Sequence, residues 1–282
     1  METFTNDGLT FDVRDAGPRR ADADRTVVLL HGFPQSPSAW DAVAPLLHEA
    51  GIRTLAPALR GYTSGARPAG RRAYRIERLV GDVFALLDQA GLDSAHLVGH
   101  DWGGGVAWAS AMTDPSRVQS LTVLSTPHPA AIRRAVMRSG QGLKSWYMLA
   151  MQLPVVPERQ LSRLVRREGL GRLGVPADLA ASYAAQMTDT EAVRGMIGPY
   201  RGLFAPAGPD AVKLDVAVTV PTTYLWGNRD PYLGRVAAEA TAAHCTGEYR
   251  FVELDAGHWL PEKRSGLVAE EIMRRMGVPA RP

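Results

Sequence analysis

Leu97-Val98-Gly99-His100-Asp101-Trp102-Gly103-Gly104-Gly105 is the stretch from which the rest of the chain is read. A short apolar run ends in Gly-x-Asp-x-Gly and passes at once into a helix-like segment, Val106 to Met112. Strand, sharp turn and helix in that succession make a nucleophile elbow, whose apex residue is held out on strained backbone. Glycines flank the apex because the turn leaves no room for a Cβ. The usual apex is serine. Here it is Asp101.

Working outward, continuous apolar and β-branched runs predict strands buried on both faces at Thr26–Leu30, Arg53–Ala56, Ala95–Val98 and Val118–Leu124. Thr10–Arg14 alternates and reads as an earlier strand. Helical spacing falls between the strands, over Trp40–Ala50 and over Ile76–Ala90, where Gly91 supplies a C-cap. This rhythm predicts an α/β fold with a mostly parallel sheet flanked by helices. It breaks from about Pro127 to Lys213, where helical stretches are interrupted by prolines and no buried strand is legible. Strands resume at Pro221–Trp226 and Tyr249–Leu254. The expected organisation is therefore a core of residues 1–127 and 213–282, with residues 128–212 inserted as a helical cap.

Composition narrows the class. The 282 residues are 45% hydrophobic and 22% charged, enough for one large core. A net charge of +3 is too small for a nucleic-acid footprint unless gathered on one face. Arg133, Arg134, Arg138, Arg159, Arg163, Arg166 and Arg167 do cluster, and read as solvated helix faces. The single cysteine, Cys245, allows no disulfide within the chain and reads as a small core residue. Residues Met1 to Asp7 lack the basic and apolar regions of a signal peptide, and no apolar run approaches a membrane span. A cytoplasmic location is expected, with neither nucleic acid nor membrane as partner.

Three residues stand in the order nucleophile, acid, base, each just after a strand: Asp101, then Asp230 in Gly227-Asn228-Arg229-Asp230-Pro231, then His258 in Gly257-His258-Trp259. Ligands of doubly wound sheets bind beyond those carboxyl ends. An Asp before Pro is ordinarily a turn residue, and a lone His ordinarily structural; in this order and at these positions the three are a candidate triad. An aspartate nucleophile selects the electrophile. Serine attacking a saturated carbon would leave an ether that water and a histidine base could not cleave. A carboxylate leaves an ester, and hydrolysis at its own carbonyl regenerates the enzyme. The substrate should carry an sp³ carbon with a leaving group, an epoxide or an alkyl halide. The oxyanion donors expected are the backbone N–H groups of Trp102 and Phe33. His258 would act as a neutral base, so activity should fall as pH drops below its pKa. No metal cluster or phosphate loop accompanies these residues, and no cofactor is expected.

His31-Gly32-Phe33-Pro34, Gly99-His100-Asp101-Trp102-Gly103-Gly104 and Gly257-His258-Trp259 resemble the soluble epoxide hydrolases of the α/β-hydrolase fold over nearly the whole chain. The resemblance implies two cap tyrosines that hold and protonate the epoxide oxygen. Tyr147, before Gln152-Leu153-Pro154, matches the first, and Tyr200, followed by Arg201, the second. Tyr183 is the spare, and Tyr232 lies too near the acid loop to belong to the cap. Trp146, His31 and Pro34 are candidate substrate-binding residues. The implied partner is a small-molecule epoxide, with a homodimer left open. Haloalkane dehalogenases share the aspartate elbow. Trp102 matches one of their halide-binding tryptophans and Trp146 could supply a second indole, but Phe33 stands where they usually carry Asn. Fluoroacetate dehalogenases usually have Arg where Trp102 stands. A ligand-binding protein without turnover is the reading from another class, and three intact triad residues argue against it. The chain departs from the family at Ala58, where an acidic residue often precedes Arg60-Gly61-Tyr62 and its loss would loosen a loop anchor. The arginine-rich insertion also differs from a simple apolar tunnel; arginines facing inward would suit an anionic substrate.

Overall fold

The computed structural model describes residues 1–18, 22–171, 174–187 and 189–279. Its strands are β1 (Thr3–Asn6), β2 (Leu9–Ala16), β3 (Thr26–Leu30), β4 (Arg53–Pro57), β5 (Ala95–His100), β6 (Val118–Leu124), β7 (Thr222–Gly227) and β8 (Tyr249–Leu254). They form one sheet in the order β1-β2-β4-β3-β5-β6-β7-β8. The β1–β2 and β2–β4 pairs are antiparallel and every other pair is parallel. The central strands β3 and β5 are buried at every residue, as their unbroken apolar runs require, whereas the edge strand β8 alternates.

Helices α1 (Ala44–Glu49), α2 (Ile76–Gln89) and α3 (Trp102–Thr113) cover the first half of the sheet. Between β6 and β7 come α4 (Pro129–Arg138), α5 (Gln141–Lys144), α6 (Tyr147–Ala150), α7 (Val156–Glu168), α8 (Ala177–Gln186), α9 (Thr190–Met196) and α10 (Gly198–Gly202). Then follow α11 (Arg235–Ala240), α12 (Leu260–Lys263) and α13 (Ser265–Arg275). The two faces of the sheet carry separate apolar clusters, one built on Val28, Leu97 and Trp108, the other on Leu29, Val98 and Ile272. Among the described residues no helix is long and apolar enough to cross a membrane.

Two elements differ from the sequence reading. β1 was legible only through its turn: Asp7 and Gly8 both have positive φ, 52° and 74°, and an Asp-Gly pair of that conformation closes a two-residue hairpin. The helix read over Trp40–Ala50 is shorter, because a 3-10 turn at Pro37–Trp40 comes first and α1 begins at Ala44. Pro45 has no N–H to donate and fits only the first turn of a helix. The anchor that Ala58 was expected to weaken is made elsewhere. Arg60, 2% exposed, donates to both carboxylate oxygens of Asp82 at 2.8 and 2.6 Å, to Asp7 at 2.9 Å and to the Ala73 carbonyl at 3.0 Å. Tyr62 donates to the Gly32 carbonyl at 3.1 Å and so ties this loop to the one that follows β3.

Candidate active site

Because β3, β5, β6, β7 and β8 run parallel, the loops at their carboxyl ends meet at one edge of the sheet. Asp101 caps β5 and precedes α3, with φ 51° and ψ −119°, a conformation that costs an L-residue roughly 1–3 kcal/mol. The surrounding structure over-determines it. A Cβ on Gly99 would sit 2.3 Å from the Gly103 carbonyl oxygen, and one on Gly103 would sit 2.2 Å from that of Leu30. The Thr126 hydroxyl donates to the Asp101 carbonyl at 2.8 Å. That is the physical content of the Gly-x-Asp-x-Gly spacing.

The carboxylate of Asp101 is divided between two neighbours. Its Oδ1 accepts from the Phe33 backbone N–H at 2.8 Å, and its Oδ2 lies 3.6 Å from His258 Nε2. His258, 2% exposed, has its Nδ1 2.7 Å from Asp230 Oδ2. Asp230 is fixed in turn through Oδ1, which accepts from the backbone N–H groups of Tyr232 and Leu233 at 2.7 and 3.0 Å. Trp102 opens α3, and its N–H belongs to the first turn, where a helix offers no acceptor of its own. The three residues expected from order alone thus form one chain of contacts.

Electrostatics follow from this geometry. For His258, burial is the largest influence and opposes the charge, but Asp230 and Asp101 together outweigh it and raise the imidazole to about 10. For Asp101, burial again comes first and disfavours ionisation; the His258 hydrogen bond and charge, with His100 and the Phe33 N–H, more than offset it and hold the carboxyl below its ordinary value. The resting pair is therefore carboxylate and imidazolium. Tyr147 and Tyr200 keep their protons: burial raises both, and the negative charge of Asp101 raises them further.

A cavity of about 560 Å³ opens beside Asp101, with Trp102, Tyr147, Met148, Tyr200 and Leu233 in its wall. The Tyr200 ring stands edge-on to Trp102 (centroids 4.9 Å), Phe33 (5.6 Å) and Tyr147 (6.0 Å). Both tyrosines, from the helical stretch between β6 and β7, thus line the same cavity as Asp101. The spare, Tyr183, is fully buried away from the cavity and donates to Glu262 at 3.0 Å.

Three residues expected to bind substrate do not line this cavity. His31 is fully buried, with Nδ1 at 3.0 Å from the Gly32 carbonyl and Nε2 accepting from the Leu59 N–H at 3.1 Å; burial lowers it to about 4. It braces the loop that carries Phe33. Pro34 is buried outside the cavity wall. Trp146 is 66% exposed and also outside it, so the second indole that a halide would need is not in the cavity. The seven clustered arginines are all exposed, and only Arg133 reaches the cavity wall.

Residues unread in the sequence complete the frame. Gln35 Oε1 accepts from the Gly32 N–H at 2.7 Å and lies 2.8 Å from His100 Nδ1, while its amide donates to Glu262 at 2.6 Å. His100 Nε2 is 2.9 Å from the His258 carbonyl oxygen, which also accepts from the Ser125 hydroxyl at 2.8 Å. The Tyr232 ring, placed in the acid loop by its sequence position, stands edge-on to His258 at 5.0 Å. Only His100, the variable position of the elbow motif, carried any signal in the sequence. Burial pushes the Cys245 thiol up to about 12, which disfavours the thiolate. No group of three or more His, Cys, Asp or Glu among the described residues is arranged to hold a metal ion.

A family model described as the α/β-hydrolase fold matches residues 25–264. An AB hydrolase superfamily protein of Bacillus subtilis, YfhM, is 33% identical over 96% of both chains. Epoxide hydrolase A of Mycobacterium tuberculosis is 30% identical over 94% of both, and human epoxide hydrolase 4 is 32% identical over 93% of this chain and 74% of its own length. Among solved structures, epoxide hydrolase A from Mycobacterium thermoresistibile superposes with a TM-score of 0.79 at 27% identity, covering 99% of this chain and 98% of that one. The chain belongs to the α/β-hydrolase fold family, is a hydrolase, and is similar to its epoxide hydrolases.

Proposed function

Within that family, we propose that this protein hydrolyses an epoxide to a vicinal diol through an ester on Asp101. The reading rests on one observation: the carboxylate of Asp101, paired with His258, and the rings of Tyr147 and Tyr200 border a single cavity. Residues 128–212 act as a cap over a core of residues 1–127 and 213–282, since they bring the tyrosines to a nucleophile that the sheet holds.

In the first half-reaction Asp101 Oδ2, the oxygen free of the Phe33 N–H, attacks a ring carbon. The new C–O bond makes the ester, and the ring C–O bond breaks as the epoxide oxygen takes hydrogen bonds from Tyr147 and Tyr200 and a proton from one of them. With the Asp101 charge gone, His258 releases its proton, and the tyrosinate regains one. Oδ1 becomes the ester carbonyl and already sits on the Phe33 N–H. In the second half-reaction water attacks the Asp101 carboxyl carbon and gives its proton to His258, which Asp230 holds. The tetrahedral oxyanion at Oδ1 is met by the N–H groups of Phe33 and Trp102, each worth about 3–4 kcal/mol in such sites. Collapse expels the diol, which takes the proton from His258, and the carboxylic acid left on Asp101 then gives its proton to the imidazole, which restores the resting pair. No intermediate here needs a metal or cofactor.

Mass spectrometry of the protein incubated with a styrene-oxide-type substrate tests this sequence. The wild type should give diol, and His258→Ala should accumulate an adduct on the peptide containing Asp101. A single turnover in ¹⁸O water should label Asp101 rather than the diol. Label in the first diol released would refute the covalent route, and halide release without diol from any epoxide would favour a dehalogenase instead.

A further inference from the structure

The outer surface of α4, α5 and α6 carries exposed apolar side chains of a kind that buried-core packing does not explain. Leu143 is 82% exposed, Met137 73%, Trp146 66% and Leu149 64%. An exposed cluster of large apolar residues on an otherwise well-packed molecule ordinarily marks an interaction surface. Its charge is one-sided. From Pro129 to Ala150, which spans these three helices, the chain has three arginines and one lysine and no acid, a net +4 in a chain whose total is +3. Arg133 pairs with Asp215 at 3.7 Å, while Arg134 and Arg138 are exposed and enter no ion pair among the described residues.

The patch also meets the cavity. Val136, Leu203 and Phe204 line the cavity beside Asp101 and are each close to half exposed. The lining residues Val136, Tyr147 and Met148 are chain neighbours of Met137, Trp146 and Leu149, so α4 and α6 contribute to both the cavity and the exposed apolar set. We propose that this face docks on an anionic lipid bilayer surface, with Met137, Leu143, Trp146 and Leu149 entering the interface and the arginines meeting headgroup phosphates, so that the cavity mouth opens onto the bilayer. Trp and Leu beside Arg is the composition of interfacial segments, where arginine stems lie along the apolar layer and guanidinium groups reach outward. Surface association of this kind needs no spanning helix. A second copy of the chain fits less well, since a two-fold contact would bring together two faces of the same positive sign. Docking departs from the expectation of no membrane partner. That apolar substrates enter from the bilayer rests on the epoxide reading; the docking itself does not.

Flotation of the full chain with vesicles of phosphatidylcholine, with and without phosphatidylglycerol, tests the proposal. Binding is expected only with the anionic lipid and should weaken as salt rises. Arg134→Glu with Arg138→Glu, and separately Leu143→Ser with Leu149→Ser, should each reduce partition by at least roughly tenfold. All four side chains are exposed, so melting temperature and turnover of a water-miscible epoxide should be unchanged. If that soluble epoxide is not turned over while vesicles still bind, the epoxide reading fails and docking stands. Equal binding to neutral and anionic vesicles, or none to either, would overturn docking. So would a concentration-dependent dimer that the Leu143→Ser, Leu149→Ser variant dissolves, because it would identify a second copy as the occupant.

Discussion

Neutralising Asp101 should discharge His258, and the distances say by how much. In the resting protein a carboxylate and an imidazolium face each other at 3.6 Å, with Asp230 behind the ring at 2.7 Å. At an effective dielectric of about 20, the Asp101 charge at that separation is worth ~4.6 kcal/mol to the imidazolium, roughly a thousandfold in its protonation equilibrium. An ester on Asp101 removes that charge and leaves Asp230 in place. His258, held at about 10 while Asp101 is ionised, then returns to the range in which it is neutral near pH 7. On the proposed mechanism the base is thus generated by the first half-reaction. Asp101→Asn mimics the ester in charge and nearly in shape, and cannot be alkylated. The assay is the ¹H or ¹⁵N NMR titration of the His258 ring, sheltered from exchange by its burial. The wild type should hold its imidazolium up to about pH 10, and the Asn variant should titrate orders of magnitude more readily. The stability sign agrees: a group raised in the fold contributes fully below its ordinary 6.5 and loses that contribution as pH climbs through about 10. The wild type should therefore lose stability over that window, and Asp101→Asn should lose much less. An unchanged His258 titration in Asp101→Asn would refute the reasoning. The expectation that activity falls below the pKa of His258 is thereby sharpened, because the relevant value belongs to the esterified enzyme: at acid pH the ester should accumulate while its formation continues.

Tyr147→Phe or Tyr200→Phe should each slow ester formation by about 10²–10³, as loss of one preorganised donor does, and the double variant should be nearly inactive in stopped-flow alkylation. Undiminished ring opening in the double variant would refute the assignment of both. Gly32→Ala would bring a Cβ to 2.4 Å from Asp101 Cβ and 2.6 Å from its Oδ1, so it should abolish turnover while circular dichroism stays native. Gly105→Ala, with nothing within 4 Å of the added carbon, should instead raise stability by about 1 kcal/mol through helix propensity, measured in urea. Asp82→Ala leaves the guanidinium of Arg60 buried with only Asp7 as an ionic partner, and should lower stability by about 3–5 kcal/mol in the same titration.

What the sequence disclosed and what it withheld divide along a physical line. Asp101, Asp230 and His258 were legible because strand periodicity is strong in buried parallel sheets, and a residue one to four positions past such a strand has its location fixed by the strand. The two tyrosines were reached only through resemblance; helical spacing in α6 and α10 says which residues share a face but not which face meets the nucleophile. Trp146 and His31 show the converse error. Each sits beside a site residue in sequence, yet one step along a helix turns Trp146 to solvent while Tyr147 faces the cavity, and His31 ends a buried strand with both ring nitrogens engaged by backbone. Gln35 and Glu262 were invisible because their role is made by contacts across 227 residues of sequence, and neither residue type announces such a partner.

On the proposed mechanism the charge on Asp101 acts on both halves of the chemistry. It raises His258, which blocks the base, and it raises Tyr147 and Tyr200, which keeps their protons in place before substrate arrives. Both effects serve the resting state, since ionised tyrosines would repel the developing alkoxide and a neutral His258 would leave the carboxylate without its counter-ion. As the ester bond forms, the same charge moves from Asp101 toward the epoxide oxygen. The tyrosine hydroxyls become better donors at the moment an alkoxide needs them, and His258 becomes a better base at the moment water must attack. A serine apex would bring no charge to spend in this way. On that argument Asp101→Ser should do more than change the nucleophile: it should leave His258 more readily neutral and the tyrosine hydroxyls more acidic in the resting protein, the electrostatic state that the wild type reaches only after alkylation.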